Sequence, residues 1–213
     1  MSARTFSLAD RLIGEIDKAI NVLCSSPAPG RAVPGSPAGE LVPDEADALE
    51  SCRLMRVNHA GEVSAQALYR GQALTARTEA TADALREAAS EELDHLAWCE
   101  IRIKELKGRT SLLNPIWYAG SFFIGALAGL SGDATSLGFI TETERQVESH
   151  LRGHLDRLPA ADRQSRAIVE QMTQDEVRHG AKAASLGGRE PALWIKGAMH
   201  LASRVMTGGS RWV

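Results

Sequence analysis

A pair of matching short motifs restricts the fold of this chain more than any other feature of its sequence. Glu92 and His95 are three positions apart, and Glu176 and His179 repeat the same spacing. Residues three positions apart lie on one face of an α-helix, with their Cβ atoms about 5–6 Å apart. The carboxylate and the imidazole of each motif are therefore expected to converge on one metal ion.

An isolated Glu precedes each motif at a similar distance. Glu62 lies 30 residues before Glu92, and Glu144 lies 32 residues before Glu176. Each distance suits two helices joined by a turn, so the chain repeats one unit: a Glu, a helix hairpin and a Glu-x-x-His motif. Two-metal carboxylate proteins place one Glu on each of two helices and Glu-x-x-His on the other two. The sequence predicts an all-α protein built on such a four-helix bundle.

The charges of the predicted ligands are consistent with a buried metal centre. Four carboxylates inside a bundle would repel one another and would be costly to bury without a counter-charge. Two divalent cations balance them, and oxygen and nitrogen ligands without thiolates suit iron or manganese. Glu91 and Asp175 each directly precede a motif Glu. We expect each of them to hydrogen-bond the His of the opposite motif and so to fix its orientation.

The composition is that of a single globular domain. The 213 residues include 44% hydrophobic and 24% charged side chains, and the frequent Ala, Leu, Glu and Arg favour helix. A net charge of −3 gives no support to nucleic acid as a partner. The three Cys are widely spaced without a Cys-x-x-Cys motif, and no signal peptide is recognisable, so we expect an intracellular protein in a reduced compartment.

Composition also divides the chain into three parts. Residues 1–24 carry apolar side chains at helical spacing and predict an accessory amphipathic helix that packs on the bundle or contacts a membrane. Residues 25–43 are rich in Pro, Gly and Ser and predict a flexible linker. Residues 44–213 hold the metal motifs and form the predicted bundle. Its helices are expected at residues 44–77 and 78–107, in a stretch ending near 158, and at about 161–187 and 191–206.

Residues 114–132 form a run of nineteen without a charge. That length would allow a transmembrane helix, and Gly125-x-x-x-Gly129 within it would allow close packing between helices. The run ends at Asp133 and leads into the segment that carries Glu144. Three interpretations stay open: a membrane span, a helix inserted in the membrane surface or facing a lipid substrate, and a core helix. A buried or membrane-facing helix is favoured over a free-standing span.

The C-terminal segment is a second candidate for membrane contact. Residues 191–206 predict a further helix with Trp194 and Lys196 near its start, and Arg211 and Trp212 follow it. Tryptophan and basic side chains suit an anionic membrane surface. A terminal helix packed on the bundle explains the same pattern.

Three histidines outside the motifs are candidates for further roles. His150 and His154 are one helical turn apart, which could suggest a zinc pair, but they lack the Glu of a His-Glu-x-x-His motif. We interpret His154 as a surface residue and His150 as a candidate catalytic residue of open role. His59, three residues before Glu62, is the second catalytic candidate, as a proton relay, and its alternative is a hydrogen-bonded histidine between helices.

Taken together, these motifs resemble the demethoxyubiquinone hydroxylase family of ubiquinone biosynthesis. The resemblance covers about residues 44–206 and rests on the run Arg-Val-Asn-His-Ala-Gly-Glu at 56–62, the two Glu-x-x-His motifs, Glu144 and Asp175. It implies a ferritin-like bundle, here with extra N-terminal, hydrophobic and C-terminal helices. It also implies that two iron ions are bound, with bridging by Glu92 and Glu176, and that their ligands are Glu62, Glu92, His95, Glu144, Glu176 and His179.

The resemblance further implies an activity and a location. The family hydroxylates the ring of a polyprenyl methyl-methoxy-benzoquinol (demethoxyubiquinol) with dioxygen, as a peripheral protein on the cytoplasmic side of the inner membrane. Other ubiquinone-biosynthesis proteins are implied as partners. NADH is implied as electron donor by the resemblance alone, since the chain lacks a Gly-x-Gly-x-x-Gly signature. His150 matches a family His near the site, whereas the next residue, Leu151, differs from the Tyr of animal members.

Other classes of protein could share the ligand pattern. A ferritin-type ferroxidase could use all six ligands but does not need nineteen uncharged residues. Peroxide-reducing proteins of rubrerythrin type usually add a Cys-rich electron-transfer module, which is missing here. A non-enzymatic helical protein that binds a membrane or a partner would leave the repeated ligand spacing unexplained. The sequence therefore favours the monooxygenase.

Overall fold

The computed structural model describes residues 8–35 and 44–213 of the chain. These residues form helices, turns and loops, with no strand among them, so the predicted all-α class is confirmed. The helices are α1 (Leu8–Cys24), α2 (Glu45–Thr75), α3 (Glu79–Glu105), α4 (Asn114–Leu130), α5 (Asp133–Leu155), α6 (Arg163–Ser185) and α7 (Leu193–Ser210).

Polar side chains define where three of the helices begin. Asp44 caps α2, Thr78 caps α3 and Asp162 caps α6, each by accepting a hydrogen bond from the backbone amide three residues further on. Such a cap satisfies one of the amides that the first turn of a helix leaves unpaired. The predicted starts of these helices are therefore confirmed. The last helix, α7, continues to Ser210, four residues beyond its predicted end at Met206.

Four helices form the predicted bundle as two hairpins, α2 with α3 and α5 with α6. Its interior contains two apolar layers. The first consists of Cys52, Leu54, Met55, Trp98, Cys99, Ile103, Leu151, Leu158, Ile168, Val169 and Met172. The second consists of Leu68, Tyr69, Ala73, Leu85, Ala89, Ile140 and Ala183. On each helix the motif residues lie between its contributions to these two layers, so apolar side chains enclose the ligands from both ends of the bundle.

The uncharged segment forms α4, which packs against α2 at very short range. A Cβ atom on Gly125 would lie 2.1 Å from the carbonyl oxygen of Leu68, and one on Gly129 would lie 2.1 Å from Oγ1 of Thr75. Any larger residue would push the two helices apart, so the expected close packing through these glycines is confirmed. None of the described helices combines the length and the hydropathy that crossing a bilayer requires.

The three helices outside the bundle expose large apolar side chains. These are Ile13, Ile16 and Ile20 on α1, Ile116, Phe123, Ile124, Leu127 and Leu130 on α4, and Leu193, Trp194, Leu201 and Val205 on α7. The α4 helix is thus packed on one face and exposed on the other, which differs from a helix buried in the core. Exposed apolar surface of this extent is typical of an interaction site.

The segment that follows α1 has no helical structure and lies against the bundle. Residues 25–35 run along α3, where Val33 packs against the first apolar layer. The rest of the predicted linker, residues 36–43, lies outside the described residues. The division of the chain into an accessory helix, a flexible linker and a bundle stays a prediction.

Candidate metal centre

Six buried side chains from four helices converge in the middle of the bundle, and they are the six that the sequence singles out. They form two groups, in each of which one ligand atom per residue lies within 4.8 Å of every other. Each side chain belongs to a residue that is at most 7% exposed. The first group is Glu62, Glu92, His95 and Glu176, and the second is Glu92, Glu144, Glu176 and His179.

The orientation of the two histidines suits metal ligation. Nδ1 of His95 lies 2.6 Å from a carboxylate oxygen of Glu92, and Nδ1 of His179 lies 2.7 Å from the other oxygen of the same carboxylate. Neither nitrogen has a hydrogen-bond partner in acceptable geometry, and neither oxygen of Glu92 has one. Buried polar atoms without partners are costly, and a metal ion among them would satisfy all four. Each group therefore could hold one metal ion.

The far nitrogen of each imidazole is fixed by an acid from the opposite motif. Nε2 of His95 lies 2.9 Å from Oδ2 of Asp175, and Nε2 of His179 lies 2.7 Å from Oε2 of Glu91. With a proton on Nε2, each imidazole offers the lone pair of Nδ1 to the centre of the bundle. The two contacts expected from the sequence are confirmed.

Burial and charge act together on the acids of the centre. Burial, and to a smaller extent the charge of Glu92, raises the pKa of Glu62 well above its usual range. Burial, and to a smaller extent the charge of Glu176, likewise raises the pKa of Glu144. Burial also favours the neutral form of Glu92, but the charges and contacts of His95 and His179 together outweigh it and hold the pKa of Glu92 below the usual range. Without a metal ion, protons on two carboxylates reduce the repulsion within the cluster.

The imidazoles show the matching effect. Burial alone would lower the pKa of His179, but contacts with Glu176 and Glu92 outweigh it and raise that pKa to about 10. Burial alone would lower the pKa of His95, but Glu92, Asp175 and Glu176 together outweigh it and raise that pKa well above its usual range. The surrounding carboxylates thus favour positive charge at this place, which two divalent cations would supply.

Sequence reasoning missed one polar residue that contacts the cluster. The hydroxyl group of Tyr69 donates a hydrogen bond to Oε1 of Glu144 across the interface between α2 and α5. Tyr69 is fully buried and lies seven positions after Glu62. Two helical turns place residues seven apart on one face, so this spacing could have indicated that Tyr69 points towards the ligands.

The structure places the remaining histidines outside both ligand groups. The ring of His150 contacts that of His154, with ring centroids 4.0 Å apart and the ring planes tilted by 58°. The assignment of His154 to the surface is wrong, because it is only 3% exposed. Three positions after Leu151 it lies on the face of α5 that enters the first apolar layer. His59 is buried, and its Nδ1 lies 3.3 Å from the side-chain amide of Asn114 on α4. This contact matches the alternative expected for His59, a hydrogen-bonded histidine between helices. A catalytic role for His150 or His59 stays a prediction.

A small cavity adjoins the second ligand group. It has a volume of about 30 Å³ and touches Glu144, His179 and Glu91. The apolar part of its wall consists of Ala84, Leu85, Ala88, Leu137, Ile140, Ala183 and Leu186. This space suits a molecule of the size of water, whereas a quinol ring needs a pocket of several hundred Å³.

Two helix hairpins around four buried Glu and two buried His define the class: a ferritin-like bundle with a two-site carboxylate and histidine centre.

Comparison with known proteins agrees with this class. The model of the family described as "Ubiquinone biosynthesis protein COQ7" matches residues 50–210, and the chain belongs to this family. The resemblance drawn from the motifs is thereby confirmed.

Individual relatives are similar over nearly their full length. A protein of Chromobacterium violaceum is 52% identical over 203 residues, which cover 95% of this chain and 98% of that protein. One of Nitrosospira multiformis is 53% identical over 204 residues, covering 96% and 98%. One of Azoarcus sp. is 54% identical over 198 residues, covering 93% and 96%. Each of the three is named 3-demethoxyubiquinol 3-hydroxylase.

The contacting pair His150 and His154 predicts a pH dependence of stability. Burial, with smaller effects from His150, Arg157 and Arg211, lowers the pKa of His154 to about 2. Burial and Arg157 lower that of His150 to about 4. The two arginines also pair with Glu50, which keeps them beside the histidines. Below the unfolded pKa of about 6.5 the unfolded chain binds more protons than the folded one, so stability is full above that pH and is lost as pH falls towards 4.

We expect His154→Gln to flatten this dependence. Urea titrations between pH 7.5 and 4.5 measure the free energy of unfolding, and the variant is expected to lose about 2 kcal/mol less than the wild type over that interval. His200→Gln, on an exposed position of α7, is the control and keeps the wild-type slope. An unchanged slope in His154→Gln contradicts the assignment of the acid sensitivity to this pair.

Proposed function

We propose that the chain is a two-iron monooxygenase that hydroxylates the benzoquinol ring of a polyprenyl demethoxyubiquinol. The observation that carries the proposal is the overlap of two buried ligand groups in Glu92 and Glu176. Because Glu92 and Glu176 belong to both groups, each could contribute to the binding of two ions. Oxygen and nitrogen donors without thiolates suit iron. The name of the relatives, 3-demethoxyubiquinol 3-hydroxylase, supports the substrate and the position of hydroxylation.

The proposed reaction is balanced by an external reductant. One oxygen atom of dioxygen enters a ring C–H bond and the other leaves as water, so each turnover consumes two electrons and two protons. NADH is the proposed source of the electrons. Bound iron would supply the activation of dioxygen, which amino-acid side chains do not provide.

The side chains of the protein have separate tasks in this proposal. Glu62, Glu144, Glu92 and Glu176 would hold the metal ions together with His95 and His179. Tyr69 orients Glu144 through its hydroxyl group. Asp175 and Glu91 orient the imidazoles, and the two apolar layers exclude water from the reacting centre. A ferritin-type ferroxidase or a peroxide-reducing protein is not favoured, because the relatives are named hydroxylases.

The proposed activity is tested by complementation of a bacterial strain that lacks its own demethoxyubiquinol hydroxylase. The wild-type chain is expected to restore ubiquinone, and Glu144→Ala is expected to lower the rate of its formation by more than about 100-fold, since it removes a ligand rather than an outer contact. Chromatography of extracted quinones measures both ubiquinone and the demethoxy intermediate.

A matched control separates loss of a ligand from loss of charge on the same helix. Glu148 lies one turn further along α5, where it pairs with the exposed Arg152. Glu148→Ala is expected to complement like the wild type. Persistence of the demethoxy intermediate with the wild-type chain would contradict the proposed reaction, and full complementation by Glu144→Ala would remove Glu144 from the centre.

We further propose that the chain works as a peripheral protein on the cytoplasmic side of the inner membrane, beside other ubiquinone-biosynthesis proteins. Its substrate carries a long apolar tail, and the exposed apolar side chains of α1, α4 and α7 provide a surface for a bilayer. Trp212 follows the end of α7, and the guanidinium carbons of Arg53 on α2 and of Arg211 lie 4.5 and 5.5 Å from the centre of its ring. Basic and indole groups together suit anionic lipid head groups.

Flotation with vesicles of phosphatidylglycerol and phosphatidylcholine tests the membrane proposal. Phe123→Ser combined with Leu127→Ser removes two exposed apolar side chains from α4. At roughly 1.5 kcal/mol for each, the apparent affinity for vesicles is expected to fall on the order of 100-fold. The control Val177→Ser changes an exposed apolar residue of the bundle helix α6 and is expected to bind normally. Equal binding by both variants would exclude α4 as the contact.

A further inference from the structure

The non-helical segment after α1 is attached to the bundle at specific points. We call residues 26–35 the strap. Its first residue, Ser26, donates a hydrogen bond from its hydroxyl group to Oε1 of Glu100 at 2.6 Å. Further along, the backbone amides of Gly30 and Arg31 both donate to Oδ1 of Asp94, at 2.6 and 3.3 Å. The strap is therefore held on α3 by backbone as well as side-chain contacts.

Arg31 extends from the strap to a second bundle helix. Its Nε donates to Oδ2 of Asp94 at 2.6 Å, and its Nη1 donates to Oδ2 of Asp175 at 2.9 Å. The guanidinium carbon lies 4.6 Å from the ring centre of Trp98, whose indole nitrogen donates to the carbonyl oxygen of Arg31 at 3.4 Å. One planar guanidinium group thus joins α3 to α6. Its donors are fixed in a fork that can reach both acids at once, and lysine has no such fork.

The oxygen that Arg31 contacts is the same one that holds a predicted metal ligand. Oδ2 of Asp175 accepts from Nη1 of Arg31 and also lies 2.9 Å from Nε2 of His95. The side chain of Asp175 is fully buried, whereas that of Arg31 is 42% exposed. A continuous series of contacts therefore leads from the strap at the surface, through one buried carboxylate, to the imidazole in the centre.

The other half of the centre has no equivalent of this arrangement among the described residues. His179 is held by Glu91, whose side chain is 43% exposed. One imidazole is consequently fixed by a buried acid that the strap contacts, and the other by a half-exposed acid that it does not contact.

We propose that Arg31 is a positioning residue through which the strap holds Asp175 and His95, so that the His95 half of the centre binds its metal ion more tightly than the His179 half. The proposal rests on the metal centre put forward above. Its physical basis is that acids in contact with a metal-bound histidine fix the ring and change metal affinity by about 10- to 100-fold. Arg31 fixes the acid itself, and a tighter His95 half would take up the first metal ion.

Cobalt(II) alone is the probe. Two variants, each lacking one ligand, separate the two halves of the centre. Glu144→Ala removes a ligand from the second group only, and Glu62→Ala removes one from the first group only. Each variant leaves one complete half, and competition with a chromophoric chelator measures its affinity for cobalt. The wild type is expected to bind two cobalt ions, and the Glu144→Ala protein is expected to bind its one ion more tightly than the Glu62→Ala protein.

Arg31→Gln is then added to each background. With Glu144→Ala, where only the His95 half is complete, the affinity is expected to fall on the order of 10-fold, the lower limit for an outer contact. With Glu62→Ala, where only the His179 half is complete, the change is expected to stay below about 2-fold. Equal losses in the two backgrounds, or none in either, would overturn the proposal.

A double-mutant cycle tests whether Arg31 acts through the buried acid. In the Glu144→Ala background, Asp175→Asn is expected to weaken cobalt binding, and Arg31→Gln added to it is expected to have little further effect. Two independent, additive losses would contradict a positioning role. Circular dichroism of the metal-free proteins checks that each variant keeps the helical content of its parent.

The experiment also distinguishes this inference from the metal centre on which it rests. A wild-type protein that binds no cobalt, or binds it equally after loss of Glu62 and Glu144 together, contradicts the metal centre. A wild-type protein that binds two ions and retains its affinity in Arg31→Gln contradicts the strap alone.

Discussion

Burial of four carboxylates in the middle of a helical bundle is the constraint on which the rest of this structure depends. Such a cluster is unfavourable by itself, and burial together with the neighbouring acids raises the pKa of Glu62 and of Glu144, which favours their protonated forms. Two divalent cations would compensate more completely, because they replace the charge and satisfy the unpaired atoms of His95, His179 and Glu92. The fold serves this cluster, with an apolar layer at each end of it.

Much of the centre could be predicted because it is encoded in local helical spacing. Three positions between Glu92 and His95, and again between the second pair, place both ligands of each motif on one face of a helix. The repeat of the unit implies the pairing of the two hairpins. The contacts of Asp175 and Glu91 with the opposite histidines followed from the same register, since residues next to the ligands border the neighbouring helix.

The features that could not be predicted depend on contacts between distant segments. Arg31 lies 144 positions before Asp175, in a segment whose composition indicated only flexibility. The burial of His154 depends on which neighbours cover that face of α5, so its spacing from His150 alone was misleading. The uncharged segment was ambiguous for a similar reason. Its glycines suited both a membrane and a close helix contact, and only the observed packing on α2 distinguishes the inner face of α4 from the exposed one.

The central claim is that the six side chains hold a pair of metal ions. It is tested most directly by X-ray diffraction from crystals of the iron-loaded protein, with anomalous differences collected at the iron absorption edge. We expect two anomalous peaks per chain, both in contact with Glu92 and Glu176, one beside His95 and the other beside His179. A single peak, or peaks away from these residues, would contradict it.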